Sequence, residues 1–186
     1  MYKIPRLKIN ITQKETKSLL NAFQCGELVL GSDLNKFKKK LTKLFNKKYC
    51  LLTTNGFAAI LSVILSTKIK EKNILIPAVS TCFSFFNAIK ASGNYPVCAD
   101  VELESGNIDY MSALKKYKIK KYKLIISPNH FGIPSKIKAL QSIGVQITED
   151  CAQSFFTNTN LNSPANFQIF SFIPPKWSMR LMAELF

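Results

Sequence analysis

The 186-residue sequence contains one histidine, His130, and only two arginines, Arg6 and Arg180. A single histidine cannot build a histidine-based metal site. The five cysteines, Cys25, Cys50, Cys82, Cys98 and Cys151, are odd in number and contain no Cys-x-x-Cys pair. A disulfide framework and a zinc site are therefore not expected, and no metal ligand set is assigned. The longest apolar run, Phe57 to Leu65, is broken by Ser62 and falls far short of the roughly 20 residues that cross a bilayer. Residues 1–6 lack the apolar stretch of a signal peptide, so the cytoplasm is the expected compartment. There is no internal repeat, no low-complexity tract and no linker that divides the chain in two. At 47% hydrophobic residues, disorder is excluded and one packed α/β domain is expected.

The formal net charge is +15, which raises nucleic acid as a partner. The scarcity of arginine argues against it, because the guanidinium fork is the usual reader of bases and phosphates. Lysines cluster at 36–48 and 115–123, where solvated helix faces are expected. Neither a nucleic-acid nor a membrane partner is expected; a basic binding module for nucleic acid or anionic surfaces is kept as the rival reading.

Along the chain, Thr12 followed by Glu15 predicts a capping box and a helix to about Cys25, stopped by Gly26. Gly31 with Ser32 or Asp33 opens a second helix, with Leu34, Phe37, Leu41, Leu44 and Phe45 on one face. Strands are predicted at Tyr49–Thr53, Asn73–Ile76, Tyr95–Ala99, Tyr122–Ser127, Val145–Thr148 and Phe170–Ile173, the last ended by Pro174 and Pro175. Helices are predicted over 57–67, 109–117 and 135–143, with a helix or loop over 81–92 whose Phe83, Phe85 and Phe86 are assigned mostly to the core. Alternating strands and helices predict a three-layer α/β fold, with a mostly parallel sheet covered on both faces.

Three features fall at strand ends. Asn55-Gly56-Phe57 is a turn that opens a helix, and a helix N-terminus favours an anion. Glu149-Asp150-Cys151-Ala152-Gln153 brings carboxylates to a strand's end, where open α/β sheets bind ligands. Lys176 follows a buried strand, where desolvation favours the neutral, nucleophilic amine; the alternative is a solvated lysine. A phosphate cradle, an acid and an amine are what a pyridoxal phosphate site requires.

The chain resembles the DegT-type (DegT/StrS) sugar aminotransferases, which are fold-type-I pyridoxal phosphate enzymes. The resemblance runs from about Leu19 to Lys176. It is carried by Leu30-Gly31-Ser32, Thr54-Asn55-Gly56-Phe57-Ala58-Ala59, Ile76-Pro77-Ala78, Pro96 to Val101, Asn107-Ile108-Asp109, Glu149 to Gln153, and Phe170-Ser171-Phe172 with Pro174 and Lys176. It implies an aspartate aminotransferase-like large domain and pyridoxal 5'-phosphate as cofactor. It implies Lys176 as the catalytic Schiff-base lysine and Asp150 as partner of the pyridine nitrogen. It implies Gln153 near the ring's hydroxyl side. Ser171, Gly56 and the amides of Phe57 and Ala58 would lie at the phosphate. Phe83 is the guess for an aromatic stacked on the ring, although the resemblance aligns that aromatic nearest Thr81. His130 is expected to satisfy a hydrogen bond near the sheet rather than to touch substrate.

The implied reaction moves an amino group from glutamate to a keto-sugar attached to a nucleotide, for polysaccharide or glycoside biosynthesis, in a homodimer. A lysine at 176 favours this over the dehydratase branch, which carries histidine there. The implied organisation is an arm and helix over 1–30, a partial cofactor-binding domain over 31–176 and an off-pattern tail over 177–186. Family members are about twice this long, so a truncated chain with impaired activity is expected. A non-catalytic remnant of the family is the second alternative.

Overall fold

A computed structural model describes residues 11–26, 31–79, 82–155 and 161–172. The chain divides into two compact units, residues 1–51 with 172–186, and residues 52–171. The arm before residue 11, Lys176 and the tail from 177 lie outside the described residues.

In the first unit, α1 (Gln13–Gln24) starts at Thr12, whose side chain accepts the Lys14 N–H while Glu15 reaches back to the Thr12 N–H. The capping box expected at Thr12 and Glu15 is therefore present, and Gly26 ends the helix at φ 69°. Helix α2 (Ser32–Leu44) buries Phe37 and Leu41, with Phe45 just past its end. The Phe37 ring meets Phe172 edge-on at 5.1 Å between centroids. Leu34, expected on the same stripe, is exposed.

The second unit is built on five parallel strands: β1 (Asn73–Pro77), β2 (Tyr95–Ala99), β3 (Leu124–Pro128), β4 (Gln146–Asp150) and β5 (Phe167–Ile169). Their order is β2-β1-β3-β4-β5. Helices α4 (Phe83–Ala91), α5 (Tyr110–Lys120) and α6 (Ile137–Gln141) make the crossovers, as parallel pairing requires. Helix α3 (Gly56–Ser66) precedes β1.

Side-chain alternation sorts two cores. Ile60 and Ile64 of α3 and Phe85, Ala88 and Ile89 of α4 pack on Ile74, Ile76, Leu124, Ile126 and Ile169. On the opposite face, Leu75, Val97, Ile125 and Ile147 pack with Ala113 of α5 and Ile137 and Leu140 of α6. Helices thus cover both faces of a parallel sheet, as the apolar pattern predicts. The chain places β2 on one side of β1 and β3 on the other, so the direction of strand addition reverses at β1. Open sheets of this kind bind ligands beyond the carboxyl ends of such strands.

Four local expectations are corrected. Tyr49–Thr53 is not a strand, because no strand among the described residues pairs with it; Tyr49 and Leu51 are exposed. The strand expected over 170–173 lies at Phe167–Ile169, where Gln168 between two apolar residues gives the period of two. Strand β4 runs to Asp150, so Glu149 and Asp150 are its last two rungs rather than the residues beyond it. Of the three aromatics on α4 only Phe85 is core; Phe83 and Phe86 are exposed.

Candidate functional site

The carboxyl edge of the sheet is assembled from strand exits and one helix start. Asn55 has extended backbone and its Oδ1 accepts the Ala58 N–H at 2.9 Å, an N-cap that fixes the first turn of α3. The helix therefore begins at Gly56, one residue earlier than the turn reading had it. The amides of Gly56 and Phe57 have no partner within the helix by geometry. The Ala58 amide is engaged by the Asn55 cap, which sequence reasoning missed; asparagine directly before a helical stretch is the signal that finds it. A Cβ at Gly56 would meet nothing within 4 Å, so this turn opens onto free space.

Only residues 67–72 separate the end of α3 from the start of β1, and α3 packs on the sheet through Ile60 and Ile64, so its N-terminus lies toward the carboxyl edge, where β4 ends. Ile147 faces the α5–α6 side. Alternation then puts Glu149 on that side and Asp150 on the α3 side. Asp150 is half-buried, and its Oδ1 accepts the Ala152 N–H at 2.9 Å. Ser171, half-buried, lies two residues past β5 at the same edge. Gln153 is exposed, and its Oε1 accepts the Phe131 N–H at 2.8 Å. Phe131 sits in the left-handed region at φ 52°, with its ring exposed in the β3 exit loop. Phe83 is 83% exposed at the start of α4. Lys176, Pro174 and Pro175 lie outside the described residues, as does Thr81.

The doublet at the end of β4 divides into two roles. Glu149 is only 2% exposed. It faces no cation among the described residues; Asn129 Nδ2 donates to its Oε1 at 2.8 Å and Gln168 Nε2 to its Oε2 at 3.0 Å. Register explains the pair: Glu149 sits opposite Ser127 of β3 and Gln168 of β5 on one face of the sheet. Asn129 is held further by its own N–H, which donates to the Asp150 carbonyl at 2.9 Å, and by its Oδ1, which accepts the Ser135 N–H at 2.8 Å. The Cys151 N–H donates to the Ile169 carbonyl at 2.7 Å. The backbone on both sides of the Asp150 side chain is thereby tied to β3 and to β5. Burial, with the neighbouring Glu149 and Asp150 charges, pushes the Cys151 thiol far above its ordinary value, so it is an inert thiol.

His130 is buried at the edge of this network. Its N–H donates to Asn107 Oδ1 at 3.0 Å, but the ring Nε2 has no partner. The expected hydrogen bond thus comes from the backbone and not from the ring. Burial holds the imidazole below its ordinary value, which keeps it neutral. Among the described residues no group of three His, Cys, Asp or Glu could hold a metal ion. None of their helices is long and apolar enough to cross a membrane.

Compared with known protein families, the chain matches the DegT/DnrJ/EryC1/StrS aminotransferase family over residues 9–179. It is 26% identical over 147 residues to a dTDP-3-amino-3,6-dideoxy-alpha-D-galactopyranose transaminase of Aneurinibacillus thermoaerophilus, covering 76% of this chain and 40% of that protein. It is 26% identical over 185 residues to a 3-oxo-glucose-6-phosphate:glutamate aminotransferase of Bacillus subtilis, covering 94% of this chain and 41% of that protein. The fold superposes on that of Spr1654 of Streptococcus pneumoniae in its PMP form, with a TM-score of 0.84 and 20% identity, over 94% of this chain and 49% of that one. The chain thus spans about two fifths of the length of the curated relatives it matches.

Proposed function

The chain belongs to the DegT/DnrJ/EryC1/StrS aminotransferase family, and on that premise we propose that it serves a pyridoxal phosphate-dependent transamination of a keto-sugar carried on a nucleotide or a phosphate, with glutamate as amino donor. The names of the relatives support the substrate class: one is a transaminase of a dTDP-linked amino sugar, the other an aminotransferase of a 3-oxo sugar phosphate and glutamate.

The cofactor of this family combines an aldehyde, a pyridine nitrogen and a phosphate, and when bound it supplies an electron sink for the carbon that loses or gains the amine. The residues present fit it. A helix start that opens onto free space suits the phosphate, and the carboxylate of Asp150 projects to the same side of the sheet at the same edge. That shared edge and face is the observation that carries the reading.

Each residue then has a task. The Gly56 and Phe57 amides at the start of α3 receive the phosphate, and Ser171 adds a hydroxyl donor. Asp150 holds a proton on the pyridine nitrogen. Lys176 supplies the amine that attaches the cofactor and later carries the proton to and from the substrate carbon. Glu149 touches neither cofactor nor substrate. Through Asn129 and Gln168 it holds the strand ends that aim Asp150.

The test is direct. The purified chain mixed with pyridoxal phosphate should develop an absorbance near the visible edge, and borohydride should fix the added mass at Lys176. Asp150→Asn should weaken cofactor retention at least about tenfold, the loss of one charge-assisted contact. A Lys176→Ala chain that keeps the full band would remove the lysine from its role. Absence of any band in the parent chain would remove the cofactor.

A further inference from the structure

The charge of the second unit is divided between the two edges of its sheet. The carboxyl edge, where the cofactor reading applies, carries Asp100, Glu102, Glu104, Asp109, Glu149 and Asp150. Lys136 there is paired with Glu102 at 2.7 Å. The amino edge carries the reverse. Lys68, Lys70 and Lys72 lie between α3 and β1, and Lys90 lies in the last turn of α4. Lys118 and Lys120 end α5, and Lys121 and Lys123 lead into β3. All eight are exposed, and Glu71 is the one acid among them. None forms an ion pair among the described residues.

Hydrogen bonds knit these segments into one surface. The Tyr95 N–H donates to the Lys72 carbonyl at 2.9 Å and the Lys123 N–H to the Asn73 carbonyl at 2.9 Å. Asn73 Nδ2 reaches the Lys120 carbonyl at 2.5 Å. The positive excess therefore sits where neither the cofactor nor an anionic sugar substrate would be bound, and the site's chemistry does not account for it. Large exposed apolar side chains stand among the lysines: Ile119 at 67%, Leu65 at 57% and Tyr95 at 51% exposure.

We propose that the amino edge of the sheet docks this protein on an anionic lipid surface. The observations select a bilayer over a nucleic acid. The cations are all lysines, which attract anionic headgroups without the fork that reads phosphates and bases. Isoleucine and leucine gain nothing from a phosphodiester backbone, and together with tyrosine they partition into the boundary between headgroups and acyl chains. The lack of a long apolar run excludes a bilayer-crossing helix, whereas a basic edge with apolar side chains lies on a surface.

The experiment is vesicle co-sedimentation of the whole chain at about 0.1 M salt, where exposed charges interact over roughly 10 Å. Phosphatidylcholine vesicles are compared with vesicles of phosphatidylcholine and phosphatidylglycerol in equal parts. The parent chain should bind only the anionic vesicles and be released by roughly 1 M salt. The triple variant Lys72→Gln, Lys120→Gln, Lys123→Gln should lower the partition coefficient at least about tenfold, since each lysine near such a surface contributes roughly fivefold. The triple variant Lys38→Gln, Lys39→Gln, Lys43→Gln on α2 removes the same charge from the other unit and should change it by less than about threefold. Equal losses in the two variants would reduce the effect to net charge and overturn the proposal. So would equal binding to both vesicle types, or retention on single-stranded RNA with none on vesicles.

Discussion

Replacing Glu149 probes the network at the end of β4 most sharply. The carboxylate is buried and held by two neutral amides, Asn129 Nδ2 and Gln168 Nε2. A hydrogen bond to a charged group contributes roughly 1.5–3 kcal/mol, and a buried donor left without an acceptor costs about 1–3 kcal/mol. Glu149→Ala removes both bonds at once. Asn129 Nδ2 still meets Ser154 Oγ at 3.1 Å, and Gln168 Nε2 still meets the Cys151 sulfur, a weaker acceptor, at 3.8 Å. The two lost bonds set the cost, and the loss of a buried charge offsets part of it. The expected destabilisation is about 2–4 kcal/mol, a large share of the roughly 5–15 kcal/mol that holds a domain together. Glu149→Gln keeps the shape but turns an amide donor toward another donor, and should cost about 1–2 kcal/mol. Gln168→Leu, which leaves a buried carboxylate oxygen unpaired, should cost about 2–3 kcal/mol. The double variant Glu149→Ala, Gln168→Leu should fall short of the sum of the two by at least about 1 kcal/mol, because both single variants remove the same bond. Urea unfolding followed by far-ultraviolet circular dichroism measures all four. Additivity within about 0.5 kcal/mol would show that the two side chains do not act on each other.

Two further outcomes follow from buried titratable groups. His130 is held neutral by burial with its pKa below 6.5, so the unfolded chain takes up the proton first. Its contribution to stability is full above pH 6.5 and is lost as pH falls through 6.5 toward the folded value; urea midpoints measured from about pH 7.5 to about pH 5.5 should drop more for the parent chain than for His130→Gln, and equal drops would contradict this. Cys25, Cys82 and Cys98 are exposed and should react quickly with a chromogenic disulfide reagent. Cys151, buried and with its pKa raised, should react only after denaturant is added; a Cys151→Ser chain with an unchanged fast phase and a smaller late one confirms the assignment.

Local chemistry was the most legible part of the sequence. The Thr12–Glu15 box, the Gly26 stop and the apolar stripe through Phe37 and Leu41 are written in adjacent residues, and the structure has each of them. The layered parallel sheet was legible from alternating strands and helices. The strand order was not, because which strands neighbour one another depends on crossovers rather than on any local pattern. Tyr49–Thr53 shows the limit of composition: an apolar stretch becomes a strand only with a ladder partner, and none lies among the described residues. Phe170 to Ile173 is the more hydrophobic stretch, but the strand lies where side chains alternate, at Phe167-Gln168-Ile169. The candidate site was legible only as motifs placed at strand ends. The split of Glu149 and Asp150 to opposite faces required knowing that both lie inside the strand. The bond from Gln153 to Phe131 joins two loops, and nothing short of coordinates reveals it.

The wholly parallel ladder also sets how this unit must fold. No two of its neighbouring strands are joined by a hairpin, and β1 reaches β3 only after β2 and two helices have been traversed, with Ile74 opposite Leu124. Every rung therefore closes a long loop before it returns any stabilisation, which slows folding and keeps strand edges uncovered in the interim. The final rungs, Thr148 with Phe167 through Asp150 with Ile169, wait on nearly all of the chain before them. The edge of the sheet that bears Asp150 is thus completed late, and conditions that slow the ladder will leave that acid without its neighbouring strand.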